Sequence, residues 1–229
     1  MHSLGYLWLI PVMPLAGAVF NGIFAYKAPR SVISWVGCGT VGLSFLVALK
    51  GFFALAALPE SSRVISDHFY TWMAAGNFSV DFNFYLDPLS SVMALVVTGV
   101  GFLIHLYSMG YMHGDPGYGK YFCFLNLFLF SMCVLILSDD LVGLFLGWEG
   151  VGLCSYLLIG FWYEDDEKAS AGKKAFIVNR IGDAGFIFGT ALLFWYLGTT
   201  NIPELANIVH STKGAIDVGI ITVACISLF

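Results

Sequence analysis

Three ionisable side chains in this sequence stand where charge is expensive. Glu149, Arg180 and Asp183 each lie inside long apolar stretches, and Glu149 is the sole charged residue between Leu141 and Tyr163. A carboxylate at mid-bilayer costs roughly 2.5–3.5 kcal/mol on insertion scales, so such residues are paired, face a wet cavity or carry protons. Arg180 and Asp183 are three residues apart and share one face of a helix. Lys173 lies on the same stripe, seven residues earlier, and Asn179 sits beside it. A stripe of this kind faces other helices or water, never lipid, and it points to movement of ions or protons. The rival reading makes Arg180 and Asp183 a structural ion pair, and Glu149 a protonated carboxyl bonded inside a helix interface. Spacing alone does not separate the two readings.

Glu149 has no basic partner on its own helix. Gly143, Gly147 and Gly150 flank it. The step from Gly143 to Gly147 is a small-x-x-x-small pattern that lets a neighbouring backbone come close. His105, in the third apolar stretch, is a further titratable group, and imidazole relays protons near neutral pH. A lone histidine on an apolar helix is more often a packing residue. The run Glu164-Asp165-Asp166-Glu167 reads as a solvated turn.

The elements that must position these groups follow from composition. The chain has 229 residues, 59% hydrophobic and 11% charged, with a mean hydropathy of +0.83. Soluble domains carry about 25% charged residues, so an all-α polytopic membrane protein is indicated. A bilayer core needs about 20 apolar residues per helix. Six spans meet that need, at 4–26, 31–56, 87–112, 119–138, 140–163 and 173–198, and the run 215–229 starts a seventh. The first stretch has no basic leader and is long enough to span, so it reads as a helix rather than a cleaved signal.

The one long loop, 57–86, alternates Phe78, Val80, Phe82 and Phe84 with Ser79, Asp81 and Asn83, the period of a strand. Tyr70 to Met73 and the turn residues Gly76 and Asn77 precede it, so a short β-hairpin capping the outer face is expected. Lys27, Arg30, Lys120, Lys168, Lys173 and Lys174 collect on one side of the spans. Lys50, Arg63 and Lys213 lie on the other with Glu60, Asp67, Asp81, Asp139 and Asp140. Basic loops stay inside, so the N-terminus is expected outside. The ten Lys and Arg are scattered, which argues against a nucleic-acid surface. Cys38, Cys123, Cys133, Cys154 and Cys225 have no metal spacing and read as packing residues. No phosphate-binding glycine pattern, cysteine cluster or histidine pair suggests a redox cofactor.

The run Gly-Trp-Glu-Gly-Val-Gly-Leu-Cys-Ser-Tyr-Leu-Leu-Ile-Gly-Phe-Trp, 147–162, resembles the fifth helix of the large antiporter-like subunits of respiratory complex I, the L-type subunits of bacteria and subunit five of mitochondria. Residues 173–183, Lys-Lys-Ala-Phe-Ile-Val-Asn-Arg-Ile-Gly-Asp, are similar to the sixth helix of that family, and 104–112 and the Asp87-Pro-Leu-Ser-Ser start to its third. The resemblance covers essentially the whole chain. It implies a membrane-arm subunit of NADH–quinone oxidoreductase, coupling electron transfer to proton translocation, in the bacterial cytoplasmic membrane rather than the mitochondrial inner membrane. Glu149 would be the working glutamate, with Asp183 and Arg180 matching the sixth-helix pair. Other membrane-arm subunits, especially neighbouring antiporter-like ones, and the lipid bilayer would be its partners. Flavin, iron–sulfur clusters and quinone are expected in other subunits, and none in this chain.

The resemblance also implies that residues 1–112 are the first three helices and 119–229 an incomplete first five-helix repeat. The family's lysine partner for the glutamate would lie beyond Phe229, in a broken seventh helix. The alternatives are a sodium/proton antiporter or membrane hydrogenase subunit of the same superfamily, and a structural membrane scaffold. Reading the coding sequence past Phe229 should reveal an apolar segment containing a lysine; a stop codon there would overturn that expectation.

Overall fold

The computed structural model describes residues 2–76, 78–211 and 217–228, so Asn77 of the expected turn and Lys213 of the expected loop lie outside them. Helices α1 (Leu9–Phe24) and α2 (Arg30–Ala56) lead to strands β1 (Ile65–Ala75) and β2 (Phe78–Leu86). Then come α3 (Pro88–Tyr111), α4 (Tyr118–Leu137), α5 (Leu141–Ile159), α6 (Asp166–Leu197), α7 (Ile202–Ser211) and α8 (Val218–Leu228). Helices α2 to α6 are each long and apolar enough to cross a membrane. Their outward residues, such as Val96, Val100 and Leu103 on α3, are large and exposed, as a lipid-facing surface requires. Helix α4 is the hub: α1, α2, α3 and α5 pack on it, α6 joins the bundle through α5, and α8 packs on α6.

Three boundaries differ from expectation, each for a local reason. The first span begins at Leu9, not at residue 4, and α1 has 16 residues. Gly5 turns the chain at φ +65°. Asp67 of β1 then gathers the preceding segment: its carboxylate accepts from Ser3 Oγ at 2.7 Å and from the amides of Leu4, Gly5 and Leu7 at 2.8, 3.0 and 3.0 Å. Those bonds serve backbone donors that precede α1 and hold the segment leading into it. The sixth helix starts at Asp166, seven residues early, because the acidic run expected to be a turn is its cap and first turn. Asp165 accepts from the Glu167 amide at 3.1 Å. Asp166 and Glu167 suit the positive end of the helix dipole. Finally, residues read as loop after 198 contain α7, a short helix with no buried residue.

The hairpin forms as expected and is longer. Its strands pair antiparallel from Ile65↔Leu86 to Ala75↔Phe78, with two irregularities between His68 and Met73. Gly76 turns it at φ +59°. Ile65, Phe84 and Leu86 enter one buried cluster with Leu7, Ile10, Leu55, Ala94 and Leu137, so the hairpin is a lid seated on helix ends. Ser90 and Asp87 form a reciprocal capping box that starts α3 directly after it, with Pro88 in the first turn.

The same end of the bundle is stitched by Asp139 and Asp140, between α4 and α5. Asp139 accepts from Asn83 of the hairpin at 3.0 Å and from Asn201 at 3.2 Å, and Asp140 from Thr200 at 2.7 Å. Burial raises the proton affinity of both carboxyls, against the pull of those hydrogen bonds.

For Asp67, burial also opposes ionisation, but the bonds from Ser3, Gly5, Leu7 and Leu4 outweigh it and hold the carboxyl below its usual range. A depressed folded value means the anchor is complete above the ordinary carboxylate range and is lost only as pH falls through the depressed one. Asp67→Ala should cost about 1–3 kcal/mol and expose residues before Leu9 to proteolysis, read by thermal unfolding and limited digestion.

Candidate functional site

Helices α5 and α6 run antiparallel and bring the sequence-predicted charges together. Asp140 starts α5 by accepting from the Val142 amide at 2.8 Å. That start sets Glu149 eight residues into α5, about 12 Å along the axis. Asp183 lies seventeen residues into α6, about 26 Å from its start, because that helix begins early. The contacts set the two acids at one height: Trp148 and Glu149 of α5 meet Asp183 and Arg180 of α6.

Arg180 Nη1 pairs directly with Glu149 Oε2, and lies 3.6 Å from Asp183 Oδ2. One guanidinium therefore serves two carboxylates from two helices. Spacing pairs Arg180 with Asp183 and offers Glu149 no partner inside the chain; the structure makes Glu149 the closer partner. Asp183 is the most enclosed of the three, at 7% side-chain exposure against 23% for Glu149 and 41% for Arg180. The Arg180 guanidinium also lies over the Phe176 ring, 4.5 Å from its centre, where the ring face attracts the cation. Trp148, the residue before Glu149, donates its indole N–H to Asp183 Oδ1 at 2.9 Å. Sequence reasoning does not find Trp148 or Phe176, because an aromatic beside a charge carries no spacing signal.

On the other side of α5, the flanking glycines let α4 approach. A Cβ at Gly147 would stand 2.5 Å from the Leu135 amide nitrogen, and one at Gly150 2.5 Å from Ser131 Oγ. The expected close packing is thus present, and α4 is what it admits. Between α4, α5 and α6 lies a cavity of about 420 Å³ whose wall includes Ser131, Gly150, Glu149 and Arg180. The ion pair therefore borders this space, whose remaining wall is mostly apolar, with Leu127, Phe130, Val134, Leu146, Leu153 and Phe176.

Two other predicted residues stand apart. Lys173 is exposed on α6 and has no ion pair among the described residues. It lies two turns and roughly 10 Å from Arg180. His105 is buried on α3. Its Nδ1 lies 2.7 Å from the Gly101 carbonyl. A carbonyl can only accept, so that nitrogen carries the proton. Its ring meets Phe122 edge-on at 6.1 Å, and Nε2 has no partner among the described residues. Neither residue touches the Glu149 cluster.

Helices of membrane-crossing length that enclose an acid–base–acid cluster define a polytopic membrane protein built around intramembrane charge. Comparison with known proteins narrows the class. Residues 72–122 match the family model for the N-terminus of chain 5 of NADH-ubiquinone oxidoreductase (complex I), and 138–229 match that for the transmembrane region of NADH:quinone oxidoreductase and Mrp antiporters. The chain is similar to NADH-quinone oxidoreductase subunit L of Pseudomonas aeruginosa, with 47% identity over 194 residues, covering 85% of this chain and 32% of that one. Against subunit L of Escherichia coli K12 the identity is 44% over 202 residues, covering 88% and 33%. Among solved structures, the Mrp complex from Dietzia superposes at TM-score 0.77 and 26% identity, covering 97% of this chain and 23% of that one. An archaeal membrane-bound sulfane sulfur reductase shares the fold at TM-score 0.79 and 22% identity, covering 98% and 43%. The chain belongs to the antiporter-like membrane subunit family of NADH–quinone oxidoreductase, and it spans about a third of the length of the curated relatives it matches.

Gly147→Leu should drive α4 from α5, costing about 1–3 kcal/mol or more and lowering the amount of assembled complex on native gels. Gly182→Ala, which meets nothing within 4 Å, is the matched control.

Proposed function

We propose that this chain is the N-terminal part of a membrane-arm subunit of proton-translocating NADH–quinone oxidoreductase. Within it, Glu149 is the proton carrier and Arg180 and Asp183 set its charge balance. The observation that carries this reading is the single guanidinium shared by two carboxylates beside a cavity. With all three groups ionised the cluster holds one net negative charge, and one proton brings it to neutrality. A proton arriving from water forms an O–H bond on Glu149 and frees Arg180 to lean on Asp183. Its departure to water restores the Glu149–Arg180 pair. Any second cation brought near Glu149 would expel the proton, which is the part a lysine on a following helix would play. Lys173 supplies positive charge at one end of the same stripe, and His105 would join a relay only through Nε2, which has no partner among the described residues.

Energy would come from electron transfer through flavin, iron–sulfur clusters and quinone in other subunits, with no redox centre in this chain. Its partners would be neighbouring antiporter-like subunits of the membrane arm and the surrounding lipid. The membrane would be the bacterial cytoplasmic membrane, with the N-terminus and hairpin outside. The basic loops at 27–30, 113–120 and 163–174 favour that orientation. A second reading, an Mrp-type sodium/proton antiporter subunit, is supported by the structural likeness to the Mrp complex. Proton movement that requires NADH separates the two.

Glu149→Gln keeps shape and removes the titrating proton. In inverted vesicles carrying the assembled complex, it should lower proton uptake per NADH oxidised, by this subunit's share of the total. Unchanged pumping would leave Glu149 a packing residue. Single cysteines at Lys168 and Thr71, in a background free of other cysteines, should label with an impermeant maleimide from the cytoplasmic and the outer face respectively; the reverse pattern would invert the orientation.

A further inference from the structure

We propose that Trp148 is a positioning residue which decides which of the two carboxylates carries the proton. This rests on the reading of the cluster as a proton site. Arg180 alone leaves the choice open, because it reaches both Glu149 and Asp183. The remaining contacts are not symmetric. Asp183 Oδ1 accepts the Trp148 indole N–H at 2.9 Å, while Oδ2 faces Arg180, so both of its oxygens are engaged. Glu149 has Arg180 on Oε2, and no hydrogen bond from another side chain reaches it among the described residues. An indole N–H is a donor only and never titrates at physiological pH. It rewards a carboxylate that stays ionised and offers nothing to a hydroxyl proton at that oxygen.

Trp148 therefore holds Asp183 as the standing counter-ion of Arg180, and the mobile proton falls to Glu149, which also lies on the cavity wall. Because Trp148 and Glu149 are consecutive, any motion of α5 that shifts one moves the other. The donor that locks Asp183 and the acid that carries the proton then travel as one unit. The four groups form a closed ring across two helices: Trp148, Asp183, Arg180 and Glu149.

The test uses the intact complex, with proton uptake normalised to NADH oxidation and infrared difference spectra of the protonated carboxyl band. In the parent protein that band should vanish with Glu149→Gln and survive Asp183→Asn. Trp148→Phe keeps the ring and removes the donor. It should lower protons moved per NADH and split the band, so that one component is now lost on Asp183→Asn. In an Asp183→Asn background, Trp148→Phe should have no further effect on pumping, since its target is gone. Trp148→His, whose imidazole N–H can replace the indole donor, should recover a single band; it also serves should the Phe variant assemble poorly.

The inference is overturned if Trp148→Phe pumps and titrates like the parent. It is equally overturned if Trp148→Phe lowers pumping by the same factor with and without Asp183, the mark of a purely structural role. Normal pumping by Glu149→Gln would instead overturn the underlying proton-site reading. Loss of pumping in Glu149→Gln with no effect of Trp148→Phe would overturn this inference alone.

Discussion

The cost of ionised groups inside a membrane organises this structure. Arg180 cannot face lipid without a counter-charge, and neither can Glu149 or Asp183. One guanidinium between two carboxylates gives all three groups a partner of opposite charge. The second carboxylate distinguishes the cluster from a plain structural pair, and the proposed proton role rests on it. The Phe176 ring beneath the guanidinium and the indole donor on Asp183 add specificity without adding a titratable group.

The rest of the fold serves to bring α5 and α6 to the right height and keep α4 close. Glycines on one face of α5 remove the side chains that would hold α4 away, while the opposite face presents Trp148 and Glu149 to α6. Glycines at 185 and 189 do the same for α8, where an added Cβ would stand 2.7 and 2.8 Å from the Ser227 and Ala224 carbonyls. Close helix contact through small residues is the usual means of packing where lipid supplies no hydrophobic drive. At the hairpin end, buried aspartates replace that logic. Asp67 collects the N-terminal segment, and Asp139 and Asp140 tie the lid, the α4–α5 turn and the residues before α7. The hairpin is therefore a clamp over helix ends, held by polar bonds to three buried carboxylates.

The helix pattern is legible because long apolar runs have few alternatives in a bilayer. Positions 31–56, 87–112, 119–138 and 140–163 all lie close to the observed α2 to α5, since hydropathy and capping act locally there. Alternating Phe and Val residues mark β2 for the same local reason. The boundaries that move are those where distant groups intervene. No neighbour in sequence tells that Asp67 will hold residues 3–7 out of a helix. The acidic run at 164–167 is ambiguous, since such residues suit a solvated turn and a helix N-terminus alike. Helix α7 escapes sequence reasoning because its ten residues are too short for a span and bury no side chain.

For the site, the sequence by itself determined that Glu149, Arg180 and Asp183 would be costly, and that Arg180 and Asp183 share a face. It also determined that α5 carries a strip without side chains, and the recurring motifs placed the chain within its family. Only the tertiary structure decided how the charges are shared. Pairing across helices depends on relative height and rotation, which no one helix encodes. Setting α5 and α6 antiparallel brought Arg180 to Glu149, put the Trp148 donor on Asp183 and left Lys173 and His105 outside the cluster. Residue type states what a charge will cost; the meeting of two helices states which partner meets that cost.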